Sequence, residues 1–286
     1  MATTFTNRAA LSYNGAQVLS NAAVGVLEGT ISVAKNAVSD SYRAGDVITY
    51  VVTIVNSGAA AVTGLTVSDD LGAYPFGQGT VQPLTYVDGS VQYYSDGVLQ
   101  PDPAVNTTAG LTIADISVPA QGDVVIVYSA TVNAYAPLSE GSSITNTVTA
   151  EGEGVSTAQA EATITVVNEA QLSVLKSVTP IPVAENGTLT YTMQLINSGN
   201  VAVTDADDAV VSDTFDPLLS NISVALNGTA LTAGDYSYNG TTGVFATGAG
   251  VIAIPAATFT QDPATGQITV TPGSATLTVT GTVGAP

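Results

Sequence analysis

Cysteine, histidine and tryptophan are all missing from the 286 residues, and basic side chains are nearly so. Without cysteine there is no disulfide framework, and without histidine the commonest general base and transition-metal ligand are gone. Hydrolytic, redox and zinc chemistry have little to work with, so the chain reads as no enzyme and as needing no cofactor. The four basic residues, Arg8, Lys35, Arg43 and Lys176, face 23 acidic ones for a formal net charge of −19. Nucleic acid and anionic membrane surfaces are poor partners for such a chain. No apolar run has the length of a membrane span. The first residues, MATTFTNRAALSYNG, lack a basic segment leading into an apolar one, so no secretory signal is visible. The expectation is a processed chain, or export without that signal, as by lysis of a spore-forming mother cell.

What is present is strand-forming. Hydrophobic residues make up 45% and charged ones only 9%, with a mean hydropathy of +0.34. Val, Ile, Leu and Ala set among Thr and Ser favour an all-β protein with real cores, and the length suits two domains.

An internal repeat organises the sequence. ISVAKNAVSDSYRAGDVITYVVTIVNSGAAAVTGLTVSDDL, from Ile31, aligns with LSVLKSVTPIPVAENGTLTYTMQLINSGNVAVTDADDAVVSDTF, from Leu172. Lys35 meets Lys176, Tyr50 meets Tyr191 and Asn56 meets Asn197 at one constant offset. Asp69 then meets Asp213 after a short insertion around Asp205 to Asp208. Period-two alternation marks the strands, as in Ile48, Tyr50, Val52 and Ile54 against Leu189, Tyr191, Met193 and Leu195. Later, GDVVIVYSATV from Gly122 aligns with GSATLTVTGTV from Gly273. Asn-Ser-Gly, DGS, SDG, NGT and YNG supply turns. About seven short strands per copy read as an immunoglobulin-like sandwich.

The two copies end differently. The first continues through SSITNTVTAEGEG and STAQAEATITVV, two further strands, whereas the second stops without them. Their likeness stands at the front of the chain. TFTNRAALSYNG parallels SITNTVTAEGEG, with Asn7 at the place of Asn146 and Gly15 at that of Gly154, and Glu28 in the return strand meets Glu169. The expected organisation is a donor hairpin and linker over 1–30, a complete sandwich over 31–168, and a second over 169–286 lacking its last two strands. To reach its own second domain the hairpin would have to span the first on about three linker residues of at most ~3.6 Å each. Head-to-tail addition to an open sheet of another copy needs no such reach, and it closes into a ring or runs on as a filament. The expected interface residues are Phe5, Asn7, Ala9, Leu11, Val18, Val24 and Val26. A fragment cut from a longer array is the plainer alternative, and the complementarity of the two ends argues against it.

Each domain also brings one Lys, one Asp and one Asn onto core-facing phases. Ile31, Val33 and Lys35 share a face, as do Leu172, Val174 and Lys176. Leu65, Val67 and Asp69 share one, and Val211, Asp213 and Phe215 another. Ile144, Asn146 and Val148 align with Phe5, Asn7 and Ala9. A lone buried ammonium is costly, so it is paired or neutralised. Two readings stand: a buried ion pair with Asn as an extra partner, or a spontaneous Lys-Asn isopeptide bond with the Asp moving protons. The second would join Lys35 to Asn146 beside Asp69 within a subunit, and Lys176 to Asn7 beside Asp213 between subunits.

The inward Lys of the first strand, GDVITYVVTIVNSG, VSDDL and the late TNTVTA together resemble the bacterial surface-protein repeat called domain of unknown function eleven. The resemblance covers Ile31 to Val167, and Leu172 to Val283 plus the N-terminal arm in permuted form. It implies Ig-like sandwiches strung along cell-surface proteins, some of them in the ribbon-like spore appendages of anaerobic spore-formers. No wall-anchoring segment is visible and a split domain is no feature of that family, which favours an assembling subunit over an anchored adhesin.

Other sites are weaker. Asp69, Asp70, Asp205, Asp207 and Asp208 could ligate calcium if their loops converged, but without an EF-hand pattern they read as solvated loops, so no metal is assigned. A carboxylate pair for glycoside hydrolysis lacks aromatic platforms for sugar. Tyr93, Tyr94, Tyr236 and Tyr238 read as packing at strand edges. The sequence thus points to a pilus-like or fimbria-like structural subunit outside the cell or on a spore, whose partner is a copy of itself. The alternative is an adhesin or stalk module of a larger surface protein.

Overall fold

The computed structural model describes residues 3–27 and 29–284, without the side chains of residues 3, 4, 26 and 27. Its regular structure is β, with a single 3-10 turn at Asp205–Asp207 and no α-helix among the described residues. Among the described residues no helix is long and apolar enough to cross a membrane.

The chain opens with β1 (Thr3–Asn7), β2 (Ala10–Tyr13), β3 (Ala16–Leu19) and β4 (Ala23–Leu27). β1 pairs with β4 and β2 with β3, and among the described residues these strands pair with nothing else. The turn is Asn14–Gly15, with φ of 48° and 79°. Two residues at positive φ carry the twist that antiparallel strands need, and Asn-Gly adopts it cheaply. The register shifts by one residue between the two halves, where the Ala9 N–H donates to Ser20 Oγ at 2.9 Å.

The first sandwich contains β5 (Ile31–Ala37), β6 (Ser41–Tyr42), β7 (Val47–Asn56), β8 (Val62–Asp69), β9 (Tyr74–Phe76), β10 (Gly79–Val81) and β11 (Leu84–Tyr86). It continues with β12 (Gln92–Ser95), β13 (Val98–Leu99), β14 (Val105–Asn106), β15 (Leu111–Val118), β16 (Asp123–Val132), β17 (Ser143–Glu151) and β18 (Ala158–Val166). One sheet runs β13-β12-β16-β7-β5, with β11 also on β16; the other runs β14-β15-β8-β17-β18-β6. Burial alternates strictly along the long strands. On β16 the buried set is Val124, Ile126, Tyr128, Ala130 and Val132, while the residues between stay partly exposed. That alternation is the period of the pleat, and it builds the core between the two sheets.

The second sandwich contains β19 (Leu172–Thr179), β20 (Thr188–Asn197), β21 (Ser212–Thr214), β22 (Leu219–Leu226), β23 (Thr229–Ala230), β24 (Tyr236–Tyr238), β25 (Val244–Thr247), β26 (Thr258–Gln261), β27 (Ile268–Thr271) and β28 (Gly273–Val283). Its sheets run β19-β20-β28-β22-β23 and β21-β25-β24, with β26 and β27 as a separate hairpin. The first order repeats β5-β7-β16-β12-β13, and the second repeats β8-β15-β14. Counterparts of β17, β18 and β6 are missing among the described residues, so β21 keeps one edge unpaired.

That difference overturns one expectation. Leu172, Val174 and Lys176 were expected on an inward face like Ile31, Val33 and Lys35. Ile31 and Lys35 are indeed buried, but Leu172 is 53% and Val174 58% exposed, and β19 has no buried residue at all. The phase of alternation is the same in both strands. What differs is the cover, since β17 packs against β5, whereas the one strand that packs extensively against β19 among the described residues is its ladder neighbour β20.

Two buried asparagines close the ends of both sandwiches alike. Asn56 Nδ2 donates to the carbonyls of Ala60 and Pro119 while its Oδ1 accepts the Gly58 N–H. Asn197 repeats this with Val201, Pro255 and Gly199. A side chain that satisfies a turn and the opposite sheet together ties the Asn-Ser-Gly connection down. The chain divides into two compact units, Met1–Pro137 with Ser143–Thr165 and Leu138–Ser142 with Val166–Pro286.

Candidate functional site

In the first sandwich, β5 supplies Lys35, β8 Asp69 and β17 Asn146, and the structure brings all three together. Lys35 Nζ lies 2.5 Å from Asp69 Oδ2, with the two side chains 0% and 2% exposed. The same oxygen accepts the Tyr128 hydroxyl at 2.5 Å, and Oδ1 accepts the Leu71 N–H at 3.0 Å. Asn146 Nδ2 donates to the Tyr128 oxygen at 3.2 Å, and its Oδ1 accepts the Gly72 N–H at 3.2 Å. Gly72 has φ of 72°, and a Cβ there would run into Ile144, so glycine lets the backbone approach the carboxamide. Lys35 Nζ also sits 4.9 Å from the Tyr50 ring centroid, and Tyr50 stacks on Tyr128 at 5.5 Å.

Burial pushes Lys35 below its ordinary pKa, and the charges of Asp69 and Asp70 and the hydrogen bond to Asp69 oppose that. Burial pushes the Tyr50 and Tyr128 phenols up, which keeps them protonated and Tyr128 a donor. The cluster therefore holds an amine inclined to lose its proton, a carboxylate to take it, and a carboxamide whose carbonyl oxygen already faces an N–H donor. Those are the parts that acyl transfer from amide to amine requires. Sequence reading missed Tyr128. A tyrosine on an inward phase looks like core filler, and its partner across the repeat, opposite Tyr191 on β28, is Val279.

The second sandwich holds half of this arrangement. Lys176 Nζ pairs with Asp213 Oδ2, but the side chains are 41% and 16% exposed. The ammonium lies 4.6 Å from the Tyr191 centroid and 5.3 Å from that of Phe215, a cation-π cradle of two rings. Asp213 Oδ2 is buried and has no hydrogen-bond donor besides the ammonium, and Val279 stands where Tyr128 donates in the first sandwich. Asn7 is exposed on β1 of the hairpin.

The expected interface residues Phe5, Leu11, Val18 and Val24 are exposed apolar side chains, and Ala9 is exposed with them. The side chain of Val26 lies outside the described residues. Phe5 rests against Gly25, its partner in the ladder, where a Cβ would collide with the ring.

Of the acids weighed for calcium, Asp69, Asp70 and Asp207 are otherwise engaged. Asp70 Oδ1 accepts the N–H groups of Gly72 and Thr147, both at 2.9 Å, and Asp207 Oδ2 accepts the N–H and hydroxyl of Thr204. Among the described residues no three metal-binding side chains gather. Tyr236 and Tyr238 pack on Phe245 and Phe215, and Tyr93 donates to the Ser117 carbonyl.

No protein-family model and no curated protein matches the chain. Among solved structures it is similar to the pilus backbone RrgB of Streptococcus pneumoniae, at 15% identity over 85% of this chain and 55% of that one, with a TM-score of 0.35. It is similar to the major pilin subunit of Bacillus cereus, at 12% identity over 94% of this chain and 73% of that one, with a TM-score of 0.36. A third is the C-terminal domain of the Streptococcus agalactiae AgI/II polypeptide, at 13% identity over 88% and 92%, with a TM-score of 0.32. The chain spans about half the length of the Streptococcus pneumoniae pilus backbone structure.

Proposed function

We propose that this protein is a structural subunit of a filament outside the cell or on a spore, assembling head to tail as the hairpin of one copy completes the second sandwich of the next. The observation that carries this is a match of vacancy and donor. The second sandwich has β19 uncovered and β21 unpaired on one edge, while the hairpin has its apolar side chains in water. The registers agree as well: Asn7 pairs with Ala23 across the hairpin as Asn146 pairs with Ala162 across β17 and β18. Docking would satisfy an open sheet edge and bury apolar surface at ~25 cal/mol per Å². In the first sandwich Val148 stands opposite Asp69. By the same alignment, Ala9 would stand opposite Asp213 and Leu11 opposite Val211.

Removing residues 1–27 tests this. The full chain should form polymers whose length grows with concentration, seen by light scattering and electron microscopy, and the truncated chain should stay monomeric. A full chain that is monomeric at every concentration would sink the reading and leave a surface-binding module.

Within this reading, the first cluster closes into an amide between Lys35 and Asn146. Asp69 takes a proton from the ammonium, the neutral amine adds to Asn146 Cγ, the returned proton leaves with ammonia, and Asp69 takes up the second proton that the lysine nitrogen sheds. The truncated variant then weighs about 17 Da, one ammonia, less than its sequence, and Lys35→Ala restores the full mass. Full mass in both would leave the buried ion pair as the answer.

A further inference from the structure

We infer that docking also completes a reaction centre, so that Lys176 of one subunit becomes joined by an amide bond to Asn7 of the hairpin it receives. This rests on the head-to-tail reading and adds a covalent step to it.

The second sandwich presents two of three parts and keeps the third position open. Lys176 and Asp213 are paired on a face that solvent still reaches, and both aromatic rings of the cradle belong to the same sandwich. In the first sandwich the carboxamide comes from β17, two residues before the one opposite Asp69. On the hairpin the residue two before Ala9 is Asn7. A hairpin seated in that register therefore delivers a carboxamide to the uncovered ion pair. The orphaned lone pair of Asp213 supports the assignment independently. In the first sandwich the matching oxygen is shared between Lys35 and Tyr128, whereas Asp213 Oδ2 has Lys176 and no hydrogen-bond donor besides. A carboxylate oxygen with a single partner has room for a second, and an arriving amide NH₂ would supply it.

The step balances without any co-reactant. Covering the face with a hairpin removes water from the ion pair and favours transfer of a proton from the Lys176 ammonium to Asp213. The neutral amine adds to Asn7 Cγ. The C–N bond to the carboxamide nitrogen breaks, that nitrogen leaves as ammonia with the proton Asp213 returns, and Asp213 takes in its place the second proton that the lysine nitrogen sheds. One amide replaces another, nothing is oxidised or reduced, and the two chains together lose one ammonia.

The experiment compares wild type with Asn7→Ala, Lys176→Arg and Asp213→Asn. Each assembled sample is divided between electron microscopy and a denaturing gel after boiling in SDS, and the wild type is also digested with a protease specific for acidic residues and weighed. The expected wild-type result is a ladder at multiples of 28.5 kDa, with the Asn7 and Lys176 peptides found joined and about 17 Da below their sum. Whatever filaments the variants form should come apart to monomer in SDS. Wild-type filaments that boil to monomer, with both peptides free, would overturn the bond while leaving hairpin donation intact. Absence of filaments in the wild type would overturn both. Should a variant fail to assemble, the joined peptide in the wild type still decides the matter.

Discussion

As long as it is not joined to Asn146, Lys35 holds a charge away from water, and Asp69 with Tyr128 is what keeps it there. Asp69→Ala would leave the ammonium buried and unpaired, at a cost of about 3–5 kcal/mol in urea unfolding. Tyr128→Phe removes one donor to a carboxylate and should cost about 2 kcal/mol. The pH dependence has a definite sign. In Asn146→Ala the proposed amide cannot form, and burial holds the folded pKa of Lys35 below the ordinary 10.5. Between that lowered value and 10.5 the unfolded chain binds more protons, so stability rises with pH. Relative to a companion carrying Lys35→Met as well, Asn146→Ala should gain stability as pH climbs through this window, and a flat difference would refute the burial argument. The Lys, Asp and Asn of the site were legible because the repeat places them at matching phases. Tyr128 was not, since no tyrosine stands at its place in the second copy.

At the scale of strands, the repeat and the alternation carried both sandwiches into view. The small strands β9 and β10, and the β26 with β27 hairpin, left no mark, because three or four residues are too few for a period to show. The misjudged face of β19 has a clearer cause. Alternation tells which side of a strand a residue occupies, and says nothing of whether another strand covers that side. Register gives the sharpest prediction here. In a background free of cysteine, Leu11→Cys combined with Val211→Cys should link subunits into a reducible ladder, because paired strand residues come within disulfide reach. Leu11→Cys with Ser212→Cys should link poorly, as neighbouring residues on a strand point to opposite faces. Equal linkage in both would put the hairpin in another register or nowhere.

On the scale of the whole molecule, a charge of −19 weighs on any assembly of identical copies. Repulsion between subunits is screened over about 10 Å at 0.1 M salt. Polymerisation should therefore start at lower protein concentration as salt is raised, as light scattering would read it; a higher threshold in salt would mean that attraction between charges drives association. The position of the Lys35 cluster has a mechanical consequence. Lys35 lies midway along β5, where the chain enters the first sandwich, and Asn146 stands opposite Ala162 on β18, by which it leaves. Were Lys35 and Asn146 joined as proposed, tension applied at those two junctions would meet the bond after only a few residues had peeled away, and the strands behind it would be spared.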